Sequence, residues 1–350
     1  MAVIKPELSL LEKATLILSI LRVLGVGLIT LFTALFRGRS GSAKYGSHVK
    51  LTLLRTWLNT ATVRHQQYLL PDLDVAYPAF AKERGFPPKD VTLPDGTKAY
   101  WLGSPSAEKV ILWFHGGGFN LPAEPGHLTF VNSLTSPSVS ALILSYTLAP
   151  HAIYPRQLQQ AVELLRHVIT SLHHQPESII IGGDSAGGNI AVGILSHLLH
   201  PHPEIEPLRF EDGAKLRAAI LLAPWASFRH DWPSSKNNTS KDLVTDKVGD
   251  KWSMAFLGGQ KREGYNEPLA AEEGWWLGLE GVVKECLVLG GADELLADSI
   301  RELGRRFAAV HEGVTVVIAE GEWHDKPVTS SLGMGGEQDA AIRSFVKSRT

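Results

Sequence analysis

Six apolar runs separated by helical patterns constrain the fold of this chain more than any other feature. They are VILWF (110–114), ALILSY (141–146), SIIIGG (178–183), AAILLA (218–223), CLVLGG (286–291) and VTVVIA (314–319). An apolar run that does not alternate with polar residues indicates a strand covered on both faces of its sheet. Strands that alternate with helices are typical of crossover units, so the sequence predicts an α/β fold with a mostly parallel sheet.

Two more strands are expected before these runs, which brings the predicted sheet to eight strands. Asp95-Gly96 separates the β-rich segments 91–93 and 99–101, and this dipeptide favours a tight hairpin turn. Helices on both faces of the sheet are predicted from the patterns at 156–173, 186–199, 299–311 and 337–347.

Two segments, 37–85 and 226–280, do not follow this alternation. We expect them to form one split helical cap above the carboxyl ends of the strands, where open α/β sheets bind their ligands. The tryptophans of the second segment are expected to pack within the cap rather than to contact substrate: Trp232, Trp252, Trp275 and Trp276. The predicted organisation is therefore an N-terminal helix (1–36), a first cap segment (37–85), a first core segment (86–225), a second cap segment (226–280) and a second core segment (281–350).

The N-terminal segment 14–36 carries a single charge, Arg22, and is long enough as a helix to cross a bilayer. A narrow polar stripe along this helix also fits a helix lying in the membrane interface, or one that folds onto the protein's own core. Membrane association is the preferred interpretation. More basic residues follow the segment than precede it, which favours a domain on the cytosolic side of the membrane. The N-glycosylation sequons at Asn237 and Asn238 could be used only in a lumenal domain, so the two observations oppose each other. The side of the membrane on which the domain lies stays undecided.

Charge and cysteine content exclude several classes of protein. Lys plus Arg is 34 and Asp plus Glu is 36, a net charge of −2 that leaves no basic excess for binding nucleic acid. The one cysteine, Cys286, can form no intrachain disulfide and no four-thiolate metal site.

The pattern G-x-S-x-G around Ser185 directly follows the third apolar run and directly precedes a helical pattern. Small residues on both sides let the chain bend sharply and project the serine hydroxyl above the sheet. The sequence thus predicts that Ser185 is a nucleophile.

A second glycine cluster, His115-Gly116-Gly117-Gly118-Phe119, follows the first apolar run. Consecutive glycines leave backbone N–H groups unshielded, so they can stabilise a carbonyl oxygen that acquires negative charge. The cluster is a candidate oxyanion hole, with the N–H of Ala186 as a further donor. The alternative, a nucleotide phosphate loop, requires spacings that are not found here.

A serine nucleophile needs a histidine base and a carboxylate that orients it, both placed after later strands. Asp293 follows the run at 286–291, and His324 follows the run at 314–319. These positions predict the triad Ser185, Asp293 and His324, with Asp298 as the less favoured carboxylate.

These motifs together resemble the hormone-sensitive-lipase-type branch of the α/β-hydrolase fold. The motifs are HGGGF (115–119), YTLAP (146–150), GDSAGGN (183–189), the turn at 293–295, and His324. The resemblance implies an esterase, lipase or deacetylase in which Gly117 and Gly118 donate to the oxyanion together with Ala186. One departure is Thr147 and His151, which stand where the family commonly has a bracing arginine and acid.

From this resemblance we expect a serine hydrolase that cleaves a small to medium hydrophobic ester through an acyl-enzyme, without a metal or an organic cofactor. The chain is also similar to fungal steryl acetyl hydrolases of the endoplasmic reticulum and to fungal secondary-metabolite hydrolases. This similarity suggests that the membrane to which the chain attaches is that of the endoplasmic reticulum. Two alternatives remain: a non-hydrolytic condensation or cyclisation in secondary metabolism, and a ligand-binding receptor on the same fold. A homodimer is left open, and nucleic acid is not an expected partner.

Overall fold

The centre of the protein is a sheet to which the described residues contribute eight strands. The computed structural model describes residues 5–38, 41–211, 213–329 and 335–349. The strands are β1 (Asp90–Thr92), β2 (Lys98–Leu102), β3 (Lys109–Phe114), β4 (Val139–Ser145), β5 (Ile179–Asp184), β6 (Ala218–Leu222), β7 (Cys286–Gly291) and β8 (Val314–Ala319).

The order of the strands in the sheet is β1-β2-β4-β3-β5-β6-β7-β8. The β1–β2 and β2–β4 pairs are antiparallel, and all the other pairs are parallel. The predicted opening hairpin and the mostly parallel sheet are confirmed. Phe114 at the end of β3 lies opposite Gly183 near the end of β5, so the two glycine motifs leave the sheet side by side.

The helices of the described residues are α1 (Leu10–Thr33), α2 (Tyr45–Thr60), α3 (Val63–Leu69), α4 (Leu73–Arg84), α5 (Pro125–Asn132), α6 (Arg156–Thr170), α7 (Ala186–Leu199), α8 (Pro233–Asn237), α9 (Asp246–Leu257), α10 (Ala297–Ala308) and α11 (Glu337–Lys347). Helices α1 to α4 precede the sheet, α5 to α10 lie between strands, and α11 follows the last strand. Short 3-10 turns occupy Ala34–Phe36, Pro176–Ser178, Pro268–Ala270, Glu273–Trp276 and Leu279–Gly281. Helix α7 packs against β3, β5 and β6, while α10 and α11 pack against β7 and β8.

Two separate segments of the chain meet above the strand ends. Helix α2 contacts α9, and the contact is held by hydrogen bonds that cross between the two segments. Thr245 Oγ1 donates to Asn59 Oδ1 at 2.8 Å, and Lys251 Nζ donates to the carbonyl oxygens of Leu58 and Ala61 at 2.8 and 2.9 Å. Burial, the largest influence on this ammonium, lowers the pKa of Lys251 to about 8.

Helix α4 makes a different set of contacts from those of α2. The hydroxyl of Tyr77 donates to the carbonyl oxygen of Trp101 in β2 at 2.7 Å, and its ring packs on Tyr100 at 4.6 Å. The last third of segment 37–85 therefore contributes to the core along β2.

Helix α1 and its 3-10 extension, 10–36, are long and apolar enough to cross a membrane, with a mean hydropathy of 2.2. Its polar stripe faces α2 and α3: Glu12 pairs with Arg64 at 2.7 Å, and Ser19 Oγ donates to the carbonyl oxygen of Thr60 at 3.2 Å. Gly27 allows the close approach of Leu53 in α2. The large apolar side chains point outward, so the helix docks on the cap through its polar and small residues.

Candidate active site

Ser185 lies at a strained turn between β5 and α7. Its backbone has φ 52° and ψ −115°, a conformation that a residue with a Cβ adopts only where the fold imposes it. The fold imposes it by close packing, since a Cβ on Gly187 would lie 1.8 Å from the carbonyl oxygen of Phe114. The amide of Ser185 donates to the carbonyl oxygen of Leu222 in β6 at 2.9 Å, which fixes the turn to the sheet. The serine is thereby held at the carboxyl end of β5.

The glycine loop after β3 runs beside this turn. Gly117 and Gly118 have φ of 99° and 60°, values at which a side chain is unfavourable. Among the residues that the structure describes, the amides of Gly117, Gly118 and Ala186 have no hydrogen-bond acceptor. Because Ala186 is the first residue of α7, its N–H is one of those that a helix leaves unpaired. Unpaired amides next to a serine are the donors that an oxyanion requires.

Asp184 locks the glycine loop to the serine turn. Its carboxylate accepts from the amide of Gly116 at 2.8 Å, from Trp113 Nε1 at 2.9 Å, and from His127 Nε2 at 3.0 Å. Burial alone would raise the pKa of Asp184, but His127 and these donors hold it below its usual value. This role was not predicted from the sequence, although Asp184 is the charged residue within G-D-S-A-G.

The loop is also supported where the family's usual arginine and acid are absent. Tyr146 stacks on His115 with ring centroids 4.2 Å apart, and its hydroxyl donates to the carbonyl oxygen of His115 at 2.8 Å. Gln67 Nε2 donates to the carbonyl oxygens of Asn120 and Ala149, both at 2.9 Å. His151, in the position of the missing acid, lies 3.1 Å from Gln67 Oε1 through its Nε2. Gln67 of the cap thus links the glycine loop to the segment that contains Ala149.

The carboxylate that orients His324 is Glu294, which corrects the prediction of Asp293. Nδ1 of His324 donates to Glu294 Oε2 at 2.6 Å, and both side chains are buried. Asp293 instead pairs with Lys241 at 2.8 Å. The less favoured Asp298 accepts from the amide of Ser234 at 2.8 Å. The turn after β7 presents two adjacent carboxylates in different directions, and only the second one points at the histidine.

Two cap residues hold the loops that carry Glu294 and His324. Asp242 accepts from the amides of Leu295 at 2.8 Å and His324 at 3.3 Å, and burial raises its pKa to about 6. Asn238 is buried and donates to the carbonyl oxygen of Glu294 at 2.9 Å. Of the two sequon asparagines, only Asn237 is exposed.

A second carboxylate lies on the other side of His324. Asp325 Oδ2 is 3.1 Å from Nε2, the ring nitrogen that faces away from Glu294. Burial alone would lower the pKa of His324, but the charges of Asp325 and Glu294 raise it well above its ordinary value. Nothing in the sequence pattern indicated this contact.

Ser185 and His324 line two cavities of very different size. The smaller cavity, about 30 Å³, includes Leu295, Leu296 and Trp225 in its wall. The larger one, about 270 Å³, is bounded by Gly117, by Val328 of the loop after β8, and by apolar side chains of the cap: Leu54, Trp57, Leu58, Leu70 and Leu243. Trp252 lines both cavities and so lies at the boundary between them. From the sequence we expected this tryptophan to pack within the cap rather than to line the site.

A family model for the alpha/beta hydrolase fold matches residues 111–327. The chain belongs to the α/β-hydrolase fold family. The resemblance to the hormone-sensitive-lipase type is confirmed by the relatives of this α/β hydrolase. It is similar to steryl acetyl hydrolase 1 of Saccharomyces cerevisiae, with 25% identity over 64% of this chain and 55% of the yeast protein. It is also similar to human hormone-sensitive lipase, with 28% identity over 52% of this chain and 16% of the human protein.

The α/β hydrolase therefore spans only about half, or less, of the length of these curated relatives. Among solved structures, it is similar to an esterase from Pseudomonas putida with a TM-score of 0.68 and 20% identity, over 89% of this chain and 96% of that one. This likeness supports the fold. Within the ranges of the chain that the structure describes, no cluster of His, Cys, Asp and Glu side chains is arranged to hold a metal ion.

Proposed function

We propose that this α/β hydrolase is a serine esterase that cleaves a carboxylic ester through an acyl-enzyme. The observation that carries the proposal is the meeting of three features at one point. These are the strained Ser185, the unpaired amides of the glycine loop, and a histidine whose Nδ1 is held by Glu294. Relatives named as acetyl hydrolase, esterase and deacetylase support this chemistry.

The chemistry follows from the roles that these groups can play. Ser185 Oγ attacks the ester carbonyl while His324 Nε2 takes its proton, and the amides of Gly117, Gly118 and Ala186 stabilise the oxyanion. His324 then gives the proton to the leaving alcohol, and a water molecule activated by the same nitrogen cleaves the acyl-serine. Glu294 keeps the proton of the resting imidazole on Nδ1 and stabilises the charged ring.

The two cavities favour an ester with a short acyl group and a bulky apolar alcohol. A cavity of about 30 Å³ has room for one or two water-sized groups, which matches an acetyl group. The larger cavity, about 270 Å³, has a mainly apolar wall and suits the alcohol part. The similarity to a protein named steryl acetyl hydrolase is consistent with this size division.

Two other functions each predict a different result. A receptor needs no general base, yet His324 is buried and held by two carboxylates at the edge of both cavities. A condensing or cyclising enzyme would transfer an acyl group to a second organic substrate instead of water. Hydrolysis in the absence of any added acceptor therefore separates the esterase from that alternative.

The testing experiment combines labelling with a series of substrates. The wild-type protein should react with a fluorophosphonate probe and hydrolyse p-nitrophenyl acetate, and its kcat/KM should fall as the acyl chain lengthens beyond the smaller cavity. Ser185→Ala should lose both reactions while keeping its melting temperature, since the hydroxyl has no hydrogen-bond partner among the residues that the structure describes. Ser227→Ala, a change in the smaller cavity that leaves Ser185 intact, should keep the labelling. A folded wild type that neither reacts nor hydrolyses any ester would refute the proposal.

We also propose that α1 attaches the enzyme to a membrane. Its outward face carries large apolar side chains, among them Leu10 at 85%, Leu18 at 63%, Leu28 at 63% and Phe32 at 73% exposure. Leaving this much apolar surface in water is unfavourable at about 25 cal/mol per Å². Helix α2 lies between α1 and the larger cavity, since Leu53 faces Gly27 and Leu54 lines the cavity wall. A lipid surface at α1 would thus lie one helix away from the substrate. By resemblance, we assign this membrane to the endoplasmic reticulum.

A further inference from the structure

The ring nitrogen of His324 that must receive the proton of Ser185 already has a partner. Nε2 lies 3.1 Å from Asp325 Oδ2, while Nδ1 donates to Glu294 at 2.6 Å. A neutral imidazole has only one N–H, so contact with a carboxylate at both nitrogens requires either the doubly protonated ring or a proton on one carboxyl group. A doubly protonated ring cannot act as a base. If a carboxyl group carries the proton instead, Nε2 either accepts from Asp325 or keeps its own N–H, so in each case it has no free lone pair and the free enzyme is not ready for catalysis.

Asp325 has a strained backbone and a carboxylate that is only partly hydrogen-bonded. Its backbone φ is 51°, in the left-handed region, and its carbonyl oxygen accepts from the amides of Val328 and Thr329, both at 3.0 Å. The side chain is buried, and its second oxygen, Oδ1, has no hydrogen-bond partner among the described residues. A strained backbone together with a half-satisfied buried carboxylate is typical of functional sites.

Four segments that surround Asp325 and His324 contribute titratable groups. Asp184 lies at the end of β5, Glu294 in the turn after β7, and Asp242 in the cap, and all three are buried carboxylates. His127 of α5 faces Asp184. Because burial outweighs the attraction of His324, the pKa of Asp325 is raised to about 7. This carboxyl group can therefore take up a proton near neutral pH.

We propose that Asp325 is a positioning residue that holds His324 doubly protonated in the free enzyme and takes over the Nε2 proton when an ester fills the larger cavity. This proposal rests on the proposed esterase function. In the transfer, the Nε2–H bond of the imidazolium breaks and an O–H bond forms on Asp325, so both groups become neutral. The new carboxyl O–H then turns away from Nε2, and the lone pair of Nε2 accepts the proton of Ser185 as Oγ bonds to the carbonyl carbon. After the acid product leaves, the proton returns from Asp325 to Nε2.

The location of Asp325 explains why the ester would drive this transfer. Asp325 lines the larger cavity and is absent from the wall of the smaller one. An apolar alcohol group that fills the larger cavity displaces water, and a pair of neutral groups tolerates loss of water better than an ion pair does. The proposal therefore makes bulky apolar alcohols preferred substrates, whereas a small alcohol leaves the cavity wet and the histidine protonated.

The kinetic test compares Asp325→Asn and Asp325→Gly with Asp293→Asn as the matched control. Glycine tolerates the positive φ, so that variant keeps the turn if asparagine destabilises it. We measure the pH dependence of fluorophosphonate labelling and of kcat/KM for p-nitrophenyl acetate. In both Asp325 variants the midpoint of the rise in activity with pH should fall by about one unit or more, because one opposite charge near His324 is removed. The control should keep the wild-type midpoint. An unchanged midpoint in the folded Asp325 variants would overturn the proposal.

A second measurement separates this proposal from the esterase function itself. Nitrogen-15 NMR of labelled histidine, with the His324 signals assigned by His324→Gln, reports how many protons the ring carries in the free protein. Two protons at pH 7 in the wild type, reduced to one in Asp325→Asn, would support the proposal even if no ester were cleaved. A singly protonated His324 in the wild type would refute it, whatever the catalytic activity. Failure to label or hydrolyse at every pH between 5 and 10, with two protons on the ring at pH 7, would instead refute the esterase function.

Discussion

Glu294 Oε2 lies 2.6 Å from His324 Nδ1, whereas Asp293, one residue earlier in the same turn, faces Lys241. The amide of Gly291 and the histidine both donate to the Glu294 carboxylate, so its two oxygens are used at once. Adjacent residues in this turn therefore have separate tasks. Glu294 orients the proposed base, and Asp293 joins the turn to the cap.

Exchanging these two carboxylates for amides tests the assignment. Glu294→Gln should reduce kcat by a factor of about 10⁴, since an amide no longer fixes the imidazole tautomer or stabilises its charge. Asp293→Asn should reduce kcat less than about tenfold, because it loses only a partly exposed ion pair. Steady-state hydrolysis of p-nitrophenyl acetate gives both values, and circular dichroism confirms folding. A larger loss in the Asp293 variant would restore Asp293 as the triad member.

The contact between Gly118 and Trp252 provides a second prediction. A Cβ on Gly118 would lie 2.1 Å from the Trp252 ring, so Gly118→Ala must displace either the loop or the tryptophan. We expect a loss of kcat of about 10²–10³, the usual effect of losing one oxyanion donor. Trp252→Ala supplies the missing space, so the double variant should recover some of the lost activity.

A double-mutant cycle on kcat, with the melting temperature measured in parallel, separates this coupling from general destabilisation. Additive losses would show that the tryptophan does not position the loop. Trp275→Ala is the control, because that side chain donates to Ser196 Oγ and lies outside both cavity walls.

The raised pKa of His324 predicts the pH dependence of hydrolysis. A general base acts only when it is unprotonated, so activity is lost as the pH falls through the pKa of the base. Because Asp325 and Glu294 raise this pKa well above 6.5, half-maximal kcat/KM should occur above pH 6.5. Glu294→Gln removes one of these charges and should move the midpoint of its residual activity downward. A wild-type midpoint at or below pH 6.5, measured between pH 5 and 10, would contradict the charged environment described here.

The outward face of α1 predicts how the enzyme partitions between membrane and solution. Replacing Leu18, Leu28 and Phe32 together by Gln should shift the full-length chain from the membrane fraction to the soluble fraction, since these side chains face away from the cap. Hydrolysis of a water-soluble ester should continue, because no residue of the site lies in α1. Binding to phosphatidylcholine vesicles by flotation is the measurement.

The matched control places the same number of glutamines on exposed apolar positions elsewhere, namely Val75, Met254 and Leu277. This variant should float with the vesicles like the wild type. If the wild-type chain does not bind vesicles, or if the α1 variant unfolds, then α1 is a structural element of the cap.

The sequence by itself determined the order of strands and helices and the positions of Ser185, His324 and the glycine loop. Backbone structure follows local patterns: continuous apolar runs mark buried strands, and glycines mark turns that a side chain would block. Because the strands are parallel, their carboxyl ends meet at one edge, and motifs that follow the strands must come together there. The positions of these loops therefore follow without knowledge of side-chain directions.

Only the tertiary structure decided between Asp293 and Glu294, revealed Asp325 on His324, and placed Trp252 between the two cavities. Such choices depend on where each side chain points and on partners far away in the chain, such as Lys241 for Asp293 and Gly118 for Trp252. The polar stripe of α1 was visible in the sequence, but its partners were not. They are Arg64 and the carbonyl oxygen of Thr60, on segments that fold back against α1. Contacts between distant segments are set by packing of the whole chain, which local patterns do not encode.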